Sequence, residues 1–242
     1  MLKRNIYIIV AILIISLAPI LNADTLDTIP KSLEKRMEIK KYKSFSFGME
    51  INFSNNSSLK NFIEYELPDY VNIYDDNKLK SFTSGLGFFG GAEMQIAKHF
   101  SAKLDYKYFL KSYNSSEYIY SNYDFSYNNH EIYLKGYYLV PIDYIIFKVG
   151  GGAGFLHSTF NYKYYATETS YTSNGLGITL EGIMNAQLSK NVAGYLEGYI
   201  SNTFQSKLKS GNGIELKARN GDTVNLNSFS IGLRVGVEIF IF

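Results

Sequence analysis

From Phe229 onward, a large apolar side chain stands at every second position. Phe229, Ile231, Leu233, Val235, Val237, Ile239 and Ile241 make one face, and Ser230, Gly232, Arg234, Gly236, Glu238 and Phe240 make the other. Successive side chains of a strand point to opposite sides, so this spacing predicts a β-strand. One unbroken apolar face opposite small and charged residues suits a strand with lipid outside and a polar lumen inside, the pattern of a transmembrane β-barrel.

After Tyr42 the same alternation recurs eight times. The first strand, Lys43 to Phe53, turns Phe45, Phe47, Met49, Ile51 and Phe53 outward and Ser46, Gly48, Glu50 and Asn52 inward. The second, Phe82 to Ala97, sets Leu86, Phe88, Ala92, Met94 and Ile96 against Gly85, Gly87, Gly91, Glu93 and Gln95. The third, Phe100 to Lys111, sets Leu104, Tyr106 and Tyr108 against Lys103, Asp105 and Lys107. The fourth, His130 to Val140, sets Ile132, Leu134 and Tyr138 against Glu131, Tyr133, Lys135 and Tyr137. The fifth, Tyr144 to His157, sets Phe147, Val149 and Phe155 against Lys148, Gly150, Gly152 and Gly154. The sixth, Asn174 to Leu188, and the seventh, Val192 to Ser201, bring Glu181, Asn185, Tyr195, Glu197 and Tyr199 inward. The eighth runs from Phe229 to Phe242 and closes the ring, which removes the open edges that a bilayer does not tolerate.

The connections alternate in length. Lys98–His99, Pro141–Asp143 and Ser189–Asn191 read as tight turns, whereas 54–81, 112–129, 158–173 and 202–227 read as long loops rich in Asn, Ser, Tyr and Lys. Short turns on one side and long loops on the other are the usual asymmetry of such barrels. A further hairpin inside a long loop would raise the count to ten. Ser173-Asn174-Gly175 and Asn220-Gly221 read as turns. The fold class is therefore all-β, an eight-stranded antiparallel up-and-down transmembrane barrel.

The inward positions collect Glu50, Glu93, Asp105, Glu131, Glu181, Glu197 and Glu238 with Lys103, Lys107, Lys135, Lys148 and Arg234. An eight-stranded barrel is only wide enough to be filled by its own side chains, so these charges read as a packed ionic core. A narrow solute pathway is the alternative use of the same residues.

Two segments precede the barrel. Lys3 and Arg4, the apolar run from Ile6 to Leu17, and Leu21-Asn22-Ala23 have the layout of a signal peptide spanning 1–23. Residues 24–42 read as a periplasmic lead-in, and 43–242 as the barrel. The chain carries 24 Lys and Arg against 22 Asp and Glu; loss of the leader removes Lys3 and Arg4, leaving 22 of each. Near neutrality gives no electrostatic basis for a nucleic-acid partner. There is no cysteine, hence no disulfide, thiol nucleophile or lipid-anchoring cysteine.

In residues 43–242 the chain resembles the small outer-membrane barrels of Gram-negative bacteria, the OmpA-transmembrane and OmpX-like group, and is similar to the neisserial opacity proteins. The family's targeting end has an aromatic last residue with apolar residues at every second position before it. Phe242 and Phe240 match that pattern as targeting residues; Glu238, Gly236 and Arg234 depart from it. The resemblance implies an outer-membrane location, contact with lipopolysaccharide and with the barrel-assembly machinery, and a monomer without cofactor.

The three histidines, His99, His130 and His157, have no metal-site spacing. Phe155-Leu156-His157-Ser158-Thr159 is similar to the His-x-Ser pair of outer-membrane lipid-A deacylases, with Thr159 in place of the serine; His157 and Thr159 are the candidate catalytic residues. A non-enzymatic role in membrane integrity or surface interaction is the main expectation, with a surface ligand held by Tyr-rich segments such as 113–127 and 162–171.

Overall fold

The computed structural model describes residues 41–66, 84–114, 123–142, 145–164, 167–218 and 220–241. The leader, nearly all of the lead-in, and Phe242 lie outside the described residues. Eight strands form the wall: β1 (Lys43–Asn55), β2 (Ser84–Ala97), β3 (Phe100–Asn114), β4 (Tyr123–Ile142), β5 (Ile145–Tyr164), β6 (Thr167–Gln187), β7 (Val192–Gln205) and β8 (Ser228–Ile241). Each pairs antiparallel with its neighbour in sequence, and β8 pairs with β1, so the sheet closes into a ring. Among the described residues no helix is long and apolar enough to cross a membrane; the crossing is made by strands.

The faces follow the alternation. Phe45, Phe88, Leu104, Leu134, Val149, Leu180 and Ile231 are exposed on the outside, Leu134 at 67 %. Glu50, Glu93, Asp105, Lys135, Lys148 and Arg234 are buried inside. A large exposed apolar belt around a charged interior is stable only with hydrocarbon as the outer solvent.

The strands run further than the alternation of lipid-facing residues suggests. β4 begins at Tyr123 rather than at residue 130, and β5 and β6 stay paired out to Tyr164 opposite Thr167. A bilayer requires roughly 9–11 residues per strand, whereas β5 has 20 and β6 has 21. The segment 158–173 is therefore a continued hairpin, and Ser173 and Asn174 are ladder residues opposite Ser158 and His157. Similarly, Pro141 and Ile142, read from sequence as turn residues, belong to β4, paired with Ile146 and Ile145, while Asp143 lies outside the described residues.

Beyond the membrane the pattern inverts. On β4 the outward positions become His130, Asn128 and Ser126 while Tyr127 and Phe125 turn inward; on β5 they become His157, Thr159 and Asn161 while Leu156 and Phe160 turn inward. Once the outer solvent is water, apolar side chains gain by burial, so the same strands change from inside-out to ordinary amphipathic order at the histidine row.

The described parts of two expected loops are folded. Residues Ser57–Glu66 form helix α1, begun by Asn56, whose side-chain oxygen accepts from Leu59 N at 2.8 Å. That contact is the N-cap geometry that satisfies an otherwise orphaned helix donor. The β7–β8 connection carries an eight-residue repeat in which Leu208, Leu216 and Val224 recur. Leu208 N donates to Val224 O, Leu216 N to Leu208 O, and Val224 N to Leu216 O, at 2.9–3.0 Å, so three short extended segments close on one another as a triangle. Its corners at Gly213 and Gly221 take φ of 77° and 88°, values that suit glycine. Lys209–Ser210 also pairs with Thr172 and Tyr171 of β6. This is the additional pairing within a long loop, and it leaves the membrane ring at eight strands.

Candidate functional site

The lumen is stacked in layers. At the end where β1 begins and β8 finishes, Tyr42, Leu139, Ile146, Ile183, Ala193 and Phe240 form a buried apolar floor. Tyr42, assigned from sequence to the lead-in, is fully buried and meets Phe240 edge-on, 5.2 Å between centroids. Phe240 thus lies inside the barrel, on the lumen face of β8, whereas its proposed counterpart Phe242 is outside the described residues.

Above the floor, Lys148 on β5 bridges Glu93 on β2 at 2.8 Å and Glu238 on β8 at 2.9 Å. Next comes a connected set centred on Arg234. Its Nε donates to Glu50 Oε2 and its Nη1 to Asp105 Oδ2, both at 2.8 Å, with Glu197 Oε1 at 3.2 Å. Lys135 joins Asp105 to Glu181 at 2.7 and 2.6 Å, Lys103 lies 3.3 Å from Asp105, and Lys107 lies 3.3 Å from both Glu50 and Glu131. All twelve charged positions read from the alternation meet in these two groups.

The set contains more acids than bases, and neutral donors complete it. Tyr42 donates to Glu93 at 2.7 Å, Tyr137 to Glu181 at 2.6 Å, Asn129 to Glu131 at 2.6 Å, and Ser44 and Asn185 to Glu238, each at 2.5 Å. Tyr195 donates to Glu197. Hydrogen bonds to the ionised form are what make burial of a carboxylate tolerable in a low-dielectric interior. The Arg234 guanidinium lies 5.0 and 5.1 Å from the ring centroids of Phe89 and Tyr199, within cation–π range of both. Phe89 was not among the inward residues read from sequence. It sits at an inward position of the glycine-rich β2, where an aromatic residue stands out.

At the far end a polar layer of Asn129, Ser158 and Gln205 gives way to an apolar cap. Leu59, Phe62 and Ile63 from α1, Phe109, Phe125 and Phe160 from the strand extensions, and Leu208, Leu216 and Val224 from the triangle pack together. Phe125 stacks on Tyr162 at 5.3 Å, and Phe62 meets Phe160 edge-on at 6.0 Å. Tyr127, Tyr162 and Tyr171, expected in open binding segments, are part of or packed against this cap.

His157 and Thr159 share the outward face, but His157 Nδ1 is engaged with Asn174 Oδ1 at 2.7 Å. Ser158 is fully buried in the lumen, 2.9 Å from Asn129 Oδ1 and 2.7 Å from Gln205 Oε1, and does not face lipid. Among the described residues no three or more His, Cys, Asp or Glu side chains gather as a metal site. The turn residue His99 is tied to β4, with Leu139 N donating to its carbonyl at 2.9 Å.

No protein-family model and no curated protein matches the chain. Among solved structures it is similar to the attachment invasion locus protein Ail of Yersinia pestis in complex with the heparin analogue sucrose octasulfate, at 10 % identity over 84 % of this chain and 99 % of that one, with a TM-score of 0.48. It is also similar to a major outer membrane protein of Thermus thermophilus (11 % identity, 82 % and 99 % covered, TM-score 0.49). A third is neisserial surface protein A (12 % identity, 82 % and 96 % covered, TM-score 0.43). These are small outer-membrane barrels, and the likeness is one of architecture.

Proposed function

We propose that this protein is a closed outer-membrane barrel whose role is carried by its outer surfaces, through membrane integrity or interaction at the cell surface, and not by transport through its lumen. The observation that carries this reading is the double seal: the ionic core lies between the floor at Tyr42 and Phe240 and the cap at Phe125, Phe160 and Leu216. A filled lumen leaves the loop end as the face available to partners, with Lys207, Lys209 and Ile214 exposed on the cap. The tyrosine and histidine rim meets the headgroups of lipopolysaccharide. Residues 1–23 act as the export leader, the segment from residue 24 up to the buried Tyr42 remains as a periplasmic lead-in, and the assembly machinery receives the mature chain as a monomer.

Purified, folded protein in planar bilayers tests the reading. Silent membranes are expected, and steady, protein-dependent conductance would contradict a sealed lumen. Fractionation of expressing cells should place the chain in the outer membrane with Asp24 as its first residue.

A further inference from the structure

His130 and His157 lie directly opposite one another, as ladder partners on β4 and β5, and both are exposed on the outward face. Opposed residues on one face of an antiparallel pair have Cβ atoms about 4.5–5.5 Å apart. Each ring is held from its far side. Tyr106 Oη on β3 lies 2.8 Å from His130 Nδ1, and Asn174 Oδ1 on β6 lies 2.7 Å from His157 Nδ1. The Asn174 oxygen only accepts, so a neutral imidazole at His157 has its proton on Nδ1 and its lone pair on Nε2. In an imidazole the Nδ1 and Cδ2–Nε2 edges lie on opposite sides of the Cβ–Cγ bond. With one Nδ1 bonded toward β3 and the other toward β6, this ring geometry would turn both Cδ2–Nε2 edges toward the gap between β4 and β5. The Tyr108 ring, 4.7 Å from His130, supports that imidazole from the side.

We propose that His130 and His157 form a two-imidazole clamp for a divalent late first-row transition ion, Cu²⁺ or Zn²⁺, bound through the two Nε2 atoms. Imidazole nitrogen suits these ions, with Cu²⁺ the tighter of the two. A hydrogen bond on the other ring nitrogen, which sets tautomer and orientation, is the usual support of a metal-binding histidine. The pair sits where the outward residues change from Ile132 and Phe155 to Asn128 and Thr159, a level at which water supplies the remaining ligands. With two protein ligands the ion exchanges readily, as in a surface loading site rather than a structural one. Sequence spacing conceals the clamp, because the histidines meet through strand pairing.

The test uses the folded barrel purified without a histidine tag and titrated with Cu²⁺, followed by calorimetry and electron paramagnetic resonance. One Cu²⁺ per chain, with hyperfine structure from two imidazole nitrogens, is expected. His130→Gln and His157→Gln should each weaken binding roughly tenfold or more, whereas His99→Gln, at the opposite end of the barrel, should match the parent. Equal binding in both rim variants, or loss in only one, would overturn the clamp. A measurement on the unaltered chain covers the case of a variant that fails to fold. Zn²⁺ should protect His130 and His157, but not His99, from diethyl pyrocarbonate, and equal modification with and without Zn²⁺ would likewise overturn it.

Discussion

Arg234 on the last strand and Glu50 on the first are direct ladder partners across the closing seam, joined from Nε to Oε2 at 2.8 Å. The same guanidinium serves Asp105 and Glu197. Replacing it by Met leaves those carboxylates buried with fewer counter-charges, and breaking a buried pair from one side costs about 3–5 kcal/mol. Arg234→Met should lower the urea midpoint of the barrel in lipid vesicles, followed by heat-dependent gel mobility. Adding Glu50→Gln should recover part of the loss. An unchanged midpoint would mean that the network does not stabilise the closed ring.

Gly48 and Gly236 face each other at that seam, where a Cβ on Gly48 would lie 2.1 Å from the Val235 carbonyl and one on Gly236 2.2 Å from that of Phe47. Outward-facing Gly182 has no atom within 4 Å of its Cβ position. Gly236→Val should therefore reduce the yield of folded barrel sharply, while Gly182→Val should leave it near the parent level. Equal yields in a refolding assay would count against the tight inner wall.

The inversion at the histidine row gives the outer boundary of the membrane. Leu134→Arg places a charge within the apolar belt and should cost about 2–4 kcal/mol in a bilayer. Thr159→Arg, on the same outward face but beyond the row, should cost little. Equilibrium unfolding in phospholipid vesicles reads both. A comparable penalty at Thr159 would move the boundary outward.

The triangular cap separates from the ring in its stability. Leu216→Asp buries a charge among Phe62, Phe125 and Phe160, an unpaired burial that a small apolar cluster does not accommodate. Protease should then cleave within residues 207–227 of the folded protein while the gel shift of the barrel persists. Protection equal to that of the parent would show that the cap is held by something other than its apolar core.

The barrel was legible because lipid reverses the usual rule: seven large apolar residues alternating along one face of β8 suit a strand whose outer solvent is hydrocarbon. The inward charges followed from the same parity. What the alternation concealed lies where the solvent changes. Phe125, Tyr127 and Phe160 are apolar on the inward parity, so a reading tuned to lipid-facing strands ended them at His130 and His157. The α1 face of Leu59, Phe62 and Ile63 is a single short helical stripe inside a polar segment. The recurrence of Leu208, Leu216 and Val224, with Gly213 and Gly221 at the same interval, was missed in a segment read as an open loop, and its closure depends on three pairings that only the folded loop supplies. The neutral donors, Ser44, Asn129 and Asn185, became apparent only once the carboxylates they serve were located.

The placement of Arg234 also bears on how the ring finds its frame. If β8 slipped by two residues against β1, every apolar side chain would still face lipid, and hydrophobic burial alone would hardly distinguish the error. Glu50 would then stand opposite Gly232 or Gly236, and three acids contributed by earlier strands would wait in the interior without their shared cation. The charge on the final strand acts as a key cut for one position, so Glu50, Asp105 and Glu197 meet their shared guanidinium only when the ring has closed in this register.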